Sequence, residues 1–329
     1  MCRRNGVVDI RCNPGFWPAL VIMMIGLAGC GGGSSRVGTG PSPSPTATPL
    51  PGPTPTPSPS ADHVVVVILE NHSAGQVLGS PFMPFFNALA SQFALAGNYF
   101  ANSHPSIGNY FMLTAGQLET TDDHFSGTVV DDNIVRALTG AGKSWKAYME
   151  SLPSQGYTGN DVIPYVRHHN PFAFLTDVLT SRAQQSQIVP FSQFATDLAL
   201  AALPNFAFVV PNLENDAHDC PGEAPTCADT DKLAAADNWL VVNISPLISS
   251  PAFANGVLII TFDEGVIGDV KNGGGQVATV LVGGQVKKGF RSVTFYQHQS
   301  TLRLVLDLLG VSNRPGQSAN APSMFEFFQ

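Results

Sequence analysis

Charge is what this chain has least of. Asp, Glu, Lys and Arg make up 12% of its 329 residues, about half the share of an ordinary soluble domain. The acidic residues outnumber the basic ones, 24 to 16, for a net charge of −8. There is no basic excess to neutralise a phosphate backbone, which excludes a nucleic-acid partner. An acidic protein that handles phosphate also needs cations to draw the anion in. Long apolar runs are missing too: the stretch at 16–27 is too short to cross a bilayer comfortably. Cysteine is scarce, with Cys2, Cys12, Cys30, Cys220 and Cys227. Only the last two fall beyond the N-terminal region, so a thiolate-rich metal site is excluded there. Cys220 and Cys227 read as a disulfide closing a short loop in an oxidising compartment, with a metal-binding pair as the alternative. No internal repeat is visible.

What the chain does contain is apolar bulk, 44% of residues, enough for the core of one large α/β domain or two small ones. Arg3, Arg4 and Arg11 before the apolar stretch read as an export signal over 1–29. It ends in Leu27-Ala28-Gly29-Cys30, which resembles the lipobox of bacterial lipoproteins, where the cysteine becomes the acylated first residue. A plain export signal is the alternative. Residues 30–61 run into PSPSPTATPLPGPTPTPSPS. Such a proline spacing favours extended polyproline II, and about 20 residues at roughly 3 Å each would make a tether of some 60 Å. The expectation is an exported protein, held to a membrane through Cys30 on the periplasmic or extracellular side, with its catalytic domain at 62–329.

That domain begins with HVVVVILENHS at 63–73. Five β-formers, Val64 to Ile68, and Leu69 make a run buried on both faces, as in a parallel sheet between helix layers. The pattern continues with helical spacing over 81–96, a short extended piece at 98–101, and a turn and helix over 103–116. A helix at 132–141 and a strand at 144–149 precede a loop-rich stretch at 153–171. Strands follow at 205–211, 256–262 and 276–282, a long amphipathic helix at 229–248, and a closing helix at 299–309. Strands alternating with helices predict an α/β fold, a three-layer αβα sandwich with a mainly parallel central sheet.

Three buried strands end in acids or amides: Glu70-Asn71, the loop 212–219, and Asp263-Glu264. In a parallel sheet such endings converge at the carboxyl edge, where the chemistry of open α/β sheets collects. Carboxylates, amides and imidazoles gathered there suit a hard or borderline divalent cation. Ser106 stands at the head of a predicted helix, where the dipole and free N–H groups favour an anion. Beside a metal its hydroxyl would lose its proton readily; alternatively it is only an N-cap.

Six motifs in order, ENHS, HPSIGNY, RHHNP, PNLENDAHDC, ITFDE and YQHQSTLR, resemble the bacterial phosphoesterase family of acid phosphatases and C-type phospholipases, in the alkaline-phosphatase superfamily. The resemblance covers 62–329. It implies that Glu70 and Asn71 are the first metal-binding pair, that Asp263 and Glu264 complete the site, and that Ser106, beside the ion, is transiently phosphorylated. Asn109 would contact a phosphate oxygen. His169, His218 and His298 would stabilise phosphate, protonate the leaving oxygen, or bind a second cation with Asp216. The family pattern has proline where Gly108 stands, which predicts a less rigid helix start. No Cys-x-Pro-x-Arg sequence is present, which argues against a sulfatase. The expected activity is metal-dependent hydrolysis of a phosphate ester, with a monoester as substrate. Alternatives are a phospholipase C-type phosphodiesterase and a non-catalytic lipoprotein that binds phosphorylated ligands. Oxygen ligands favour Mg²⁺, Mn²⁺ or Ca²⁺, and the histidines admit Zn²⁺.

Overall fold

The structure is a computed structural model, which describes residues 58–329 together with Gly38 and Gly40. The expected signal at 1–29, the acylated Cys30 and the tether apart from Gly38, Gly40 and 58–61 lie outside the described residues. Ala61, assigned above to the tether, is buried, and its N–H donates to the Leu308 carbonyl at 2.9 Å. No helix among the described residues is long and apolar enough to cross a membrane.

The strands are β1 (His63–Leu69), β2 (Ala94–Ala96), β3 (Tyr99–Phe100), β4 (Trp145–Met149), β5 (Ile188–Pro190), β6 (Phe206–Val210), β7 (Gly256–Phe262), β8 (Thr279–Gly283), β9 (Phe290–Ser292) and β10 (Tyr296–Gln297). The α-helices are α1 (Ala74–Val77), α2 (Pro84–Gln92), α3 (Ser106–Thr114), α4 (Ile134–Gly140), α5 (Thr176–Leu179), α6 (Arg182–Gln185), α7 (Ser192–Ala199), α8 (Asp229–Asn243), α9 (Ser245–Ser249) and α10 (His298–Leu308). Eight strands form one sheet in the order β5-β4-β6-β1-β7-β8-β2-β9, and β3 and β10 form a small second one. In the large sheet only β8 runs antiparallel to its neighbours.

β1 lies at the centre because its sequence suits no other place. Val64 to Leu69 are all buried, and each such side chain contributes about 1.5–3 kcal/mol by leaving water. Alternation along the strands separates the two covering layers. Trp145 stacks on Phe172 and Phe208 meets Tyr110 of α3 on one face. Tyr148 packs on Phe194 of α7 and Phe262 on Phe86 of α2 on the other. The predicted three-layer α/β fold is therefore present.

Two predicted helices are shorter than expected. The helical spacing at 81–96 holds only for α2, because Ala94–Ala96 pairs with both β8 and β9. Sheet pairing there outweighs local periodicity. The helix expected at 229–248 stops after Asn243, and Pro246 opens the separate turn of α9, since proline cannot donate to the preceding turn. Cys220 and Cys227 form the disulfide.

Candidate active site at the strand ends

Register brings the site together. Leu69 of β1 pairs with Phe262 of β7, so the next residues, Glu70 and Asp263, leave adjacent strands side by side. Both follow the alternation onto the α3 face. The Asp263 N–H donates to the Leu69 carbonyl at 2.9 Å, and the Glu70 N–H donates to the Asp216 carbonyl at 2.8 Å. Three strand ends, those of β1, β6 and β7, thus meet as the sequence predicts.

Glu70 is fully buried at the centre. Its Oε1 accepts from the Tyr110 hydroxyl. Its Oε2 accepts from Ser106 Oγ at 3.2 Å and lies 3.5 Å from His169 Nε2. His169 Nδ1 is 3.6 Å from Asp216 Oδ2, and its ring stacks on Tyr110 at 5.1 Å between centroids. Glu70, His169 and Asp216 offer donor atoms that all lie within 4.8 Å of one another. Asn71 takes a left-handed φ of 52°, which asparagine tolerates. Its N–H donates to Asp263 Oδ1 at 3.2 Å.

Ser106 is the first residue of α3, and the N-cap position belongs to Pro105. The N-cap alternative for Ser106 therefore falls: its hydroxyl points to Glu70 rather than to the helix amides.

Several expected site residues are placed differently from the sequence reading. Asn109 Oδ1 accepts from the N–H groups of Asn102 and Ser103, at 2.9 and 3.1 Å. Its Nδ2 donates to the Ser103 carbonyl at 2.8 Å and to Glu264 Oε2 at 3.3 Å. Its amide is thus engaged in holding the 102–103 turn and Glu264. Glu264 also sits 3.0 Å from His104 Nδ1. His298 is fully buried with both ring nitrogens engaged. Nε2–H donates to the Asp263 carbonyl at 2.6 Å, and Nδ1 accepts from the Tyr99 hydroxyl at 3.2 Å. Burial holds it near pKa 4, hence neutral, and it supports Asp263. His218 is only half-buried. Its Nδ1 meets Asp219 Oδ1 at 2.7 Å, and its N–H donates to Asp216 Oδ1 at 2.8 Å.

Gly108 is not a point of looseness. A Cβ there would come within 2.5 Å of Ser103 Oγ and 3.1 Å of the Thr120 carbonyl, so glycine permits loop and helix to close. Tyr110 and Asp123 were not singled out from the sequence. Tyr110 carried a signal, since it lies four residues after Ser106 and so on the same helix face. Asp123 carried none.

The donor set fits a divalent cation. Asn71 Oδ1, Asp216 Oδ2, Asp263 Oδ2 and His169 Nε2 are buried without hydrogen-bond partners. Such groups are costly unless something else satisfies them. Burial, and then the neighbouring carboxylates, push Glu70 well above the usual carboxylate range. Burial likewise raises Asp216 well up, Asp263 to about 6 and Glu264 to about 10. Burial drives His169 well down. Without a cation, burial thus favours the neutral form of these carboxyl groups.

A consequence for stability follows from linkage. A carboxyl group raised in the fold stabilises fully below its unfolded pKa of about 4, and that contribution is lost as pH rises through the folded value. Above pH 7 the buried histidines are neutral in both states and add no slope. The metal-free protein is therefore expected to lose thermal stability steadily from pH 7 to 9. Thermal melts in chelator check this, and Glu264→Gln should flatten the slope by about one proton. A flat wild-type profile would mean that these carboxylates are already ionised in the fold.

Comparison with known proteins gives the same direction. The model of the Phosphoesterase family matches residues 80–312. A phosphatidylinositol-3-phosphatase of Mycobacterium tuberculosis is 30% identical over 269 residues, 81% of this chain and 82% of that protein. A probable acid phosphatase of Kluyveromyces lactis is 30% identical over 253 residues, 73% of this chain. The match spans 56% of that fungal protein's length. A solved alkaline phosphatase superfamily protein from Vibrio parahaemolyticus superposes with a TM-score of 0.59 at 14% identity, covering 78% of this chain and 68% of its own. That likeness is one of fold.

Proposed function

From the premise that this chain belongs to the phosphoesterase family and is a phosphoric ester hydrolase, we propose that it hydrolyses phosphate monoesters through a phosphoserine at Ser106, with the help of a divalent cation. The observation that carries the proposal is the Ser106 hydroxyl at the head of α3, hydrogen-bonded to Glu70 inside the buried Glu70–His169–Asp216 group. Glu70, Asp216 and His169, with Asn71 and Asp263 beside them, would hold the cation. Once bound, it would neutralise phosphate charge and favour the ionised serine.

The remaining work belongs to the chain. Glu70 Oε2 orients Ser106 Oγ and is placed to take its proton. Tyr110 and His169 hold Glu70 in place. Ser106 Oγ bonds to phosphorus as the ester oxygen leaves with a proton, for which the half-exposed His218, oriented by Asp219, is the candidate donor. Water then displaces serine from phosphorus, releasing inorganic phosphate. Asn109, Glu264 and His298 act as positioning residues. Mg²⁺, Mn²⁺, Ca²⁺ and Zn²⁺ are all compatible with the mixed donors. Export through 1–29 and anchoring at Cys30 belong to the same proposal. They would set the domain outside the cytoplasm, near a membrane.

The relatives above carry phosphatase names, which favours monoesters over diesters. The test is turnover of p-nitrophenyl phosphate beside p-nitrophenyl phosphorylcholine, with and without chelator. Monoester turnover that chelator abolishes is the expected result. Turnover of the diester alone would move the protein to the phospholipase C type, and turnover of neither would leave a phosphate-binding protein.

A further inference from the structure

Asp123 stands at the head of α3. Its Oδ1 accepts from the Ile107 N–H at 3.1 Å, and Ile107 follows Ser106 directly. By bond lengths alone, a serine hydroxyl oxygen lies within about 5 Å of the next amide nitrogen. The carboxylate is therefore no more than about 8 Å from the oxygen that would carry the phosphate. The first N–H groups of a helix have no partner within it and draw anions. A phosphate on Ser106 would suit the Ile107 N–H, yet a carboxylate of the chain holds that donor. Among the described residues Asp123 forms no ion pair. Its charge is felt in the site. It adds to burial and to Asp263 in raising Glu264, and it offsets part of the fall that burial imposes on His168.

We propose that Asp123 is a specificity-determining residue that selects by charge: it competes with the substrate's phosphate for the Ile107 N–H and favours singly charged phosphates over doubly charged ones. The inference rests on the phosphoesterase reading. A phosphate monoester carries one negative charge below its second ionisation, near pH 6, and two above it. The second charge meets a carboxylate that already holds the amide the phosphate needs. One further unit charge at this range costs about 5- to 10-fold in affinity. Capping α3 is the competing role for Asp123, and two substitutions separate the roles. Asp123→Asn keeps an oxygen for the Ile107 N–H and removes the charge. Asp123→Ala removes both.

The test measures kcat/KM of the full chain on p-nitrophenyl phosphate from about pH 4.5 to 8.5, for wild type and both variants, a range that brackets the second ionisation. The Ki of inorganic phosphate is measured alongside. The ratio of Asp123→Asn to wild type in kcat/KM should climb about 5- to 10-fold with rising pH, and Asp123→Ala should show the same climb. The affinity ratio for inorganic phosphate should climb at higher pH, because inorganic phosphate takes its second charge later than an aryl ester does. Around Asp123 stand His124 of its own loop, Asp161, Arg167 and His168 across the recess that Asp123 lines, and Glu264 after β7. Titration of any of these would move substrate and inhibitor at one common pH. A climb at a common pH would therefore overturn charge selection, and so would a flat ratio, which would leave Asp123 as a cap of α3. Either result keeps the phosphoesterase reading intact. If the wild type turned over no ester, that reading would fall and this inference with it.

Discussion

Replacing Ser106 by alanine is expected to lower turnover of p-nitrophenyl phosphate by about 10⁴-fold or more, the scale on which enzymes lose activity with their nucleophile. The fold should not notice the change. Ser106 is the first helical residue and makes no cap bond, and its hydroxyl meets only the site carboxylates Glu70 and Asp263. Its melting temperature should stay within about 2 °C of wild type, as for substitutions that break no packing. Loss of activity at constant stability therefore isolates a chemical role. Acid-quenched wild type should carry a phosphate ester on Ser106, and the variant none. If the variant kept more than about a tenth of the activity, the attacking oxygen would have to be another group, and the first candidate would be water activated by Glu70.

The second large effect is on stability. Four raised carboxyl groups surround a set of unpartnered oxygen and nitrogen atoms. A divalent ion bound only by the folded protein stabilises it by about 2.7 kcal/mol at 100 times its Kd. For a domain of this size that is a rise of about 5–10 °C in melting temperature. Asp216→Asn should remove most of the rise. It keeps the acceptor that meets the His218 N–H but replaces the carboxylate that faces His169. Calorimetry of chelated protein with Mg²⁺, Mn²⁺, Ca²⁺ or Zn²⁺ added back gives the answer for each ion. An equal rise in the variant would place the cation elsewhere. No rise with any of the four would leave the cluster as a proton-holding site and remove the metal from the mechanism.

How far the site was legible depends on what each residue's position rests on. Glu70, Asp216 and Asp263 follow strands whose apolar runs are unmistakable, and parallel strands must deliver their ends to one edge. Tyr110 shares a helix face with Ser106 by simple periodicity. His298 and Glu264 read as site residues because they neighbour Asp263 and the motif at 296–303. Their side chains turn instead to Asp263's carbonyl and to His104, contacts set by how α10 and the loop after β7 fold back. Asn109 is engaged by a turn that local spacing does not describe.

By itself, the sequence determined the layer order, the central strand and the carboxylates at its end. These follow from short-range rules: alternation, apolar runs and the right-handed delivery of strand ends. Only the tertiary structure decided which donors meet. Glu70, His169 and Asp216 are separated by about a hundred residues and then by fifty. Their encounter depends on strand register and on a short 3₁₀ turn at Arg167–His169. Asp123 likewise reaches the Ile107 amide sixteen residues back in the chain, beside Ser106. Side-chain direction at such crossings is a property of packing between distant segments, and no local pattern encodes it.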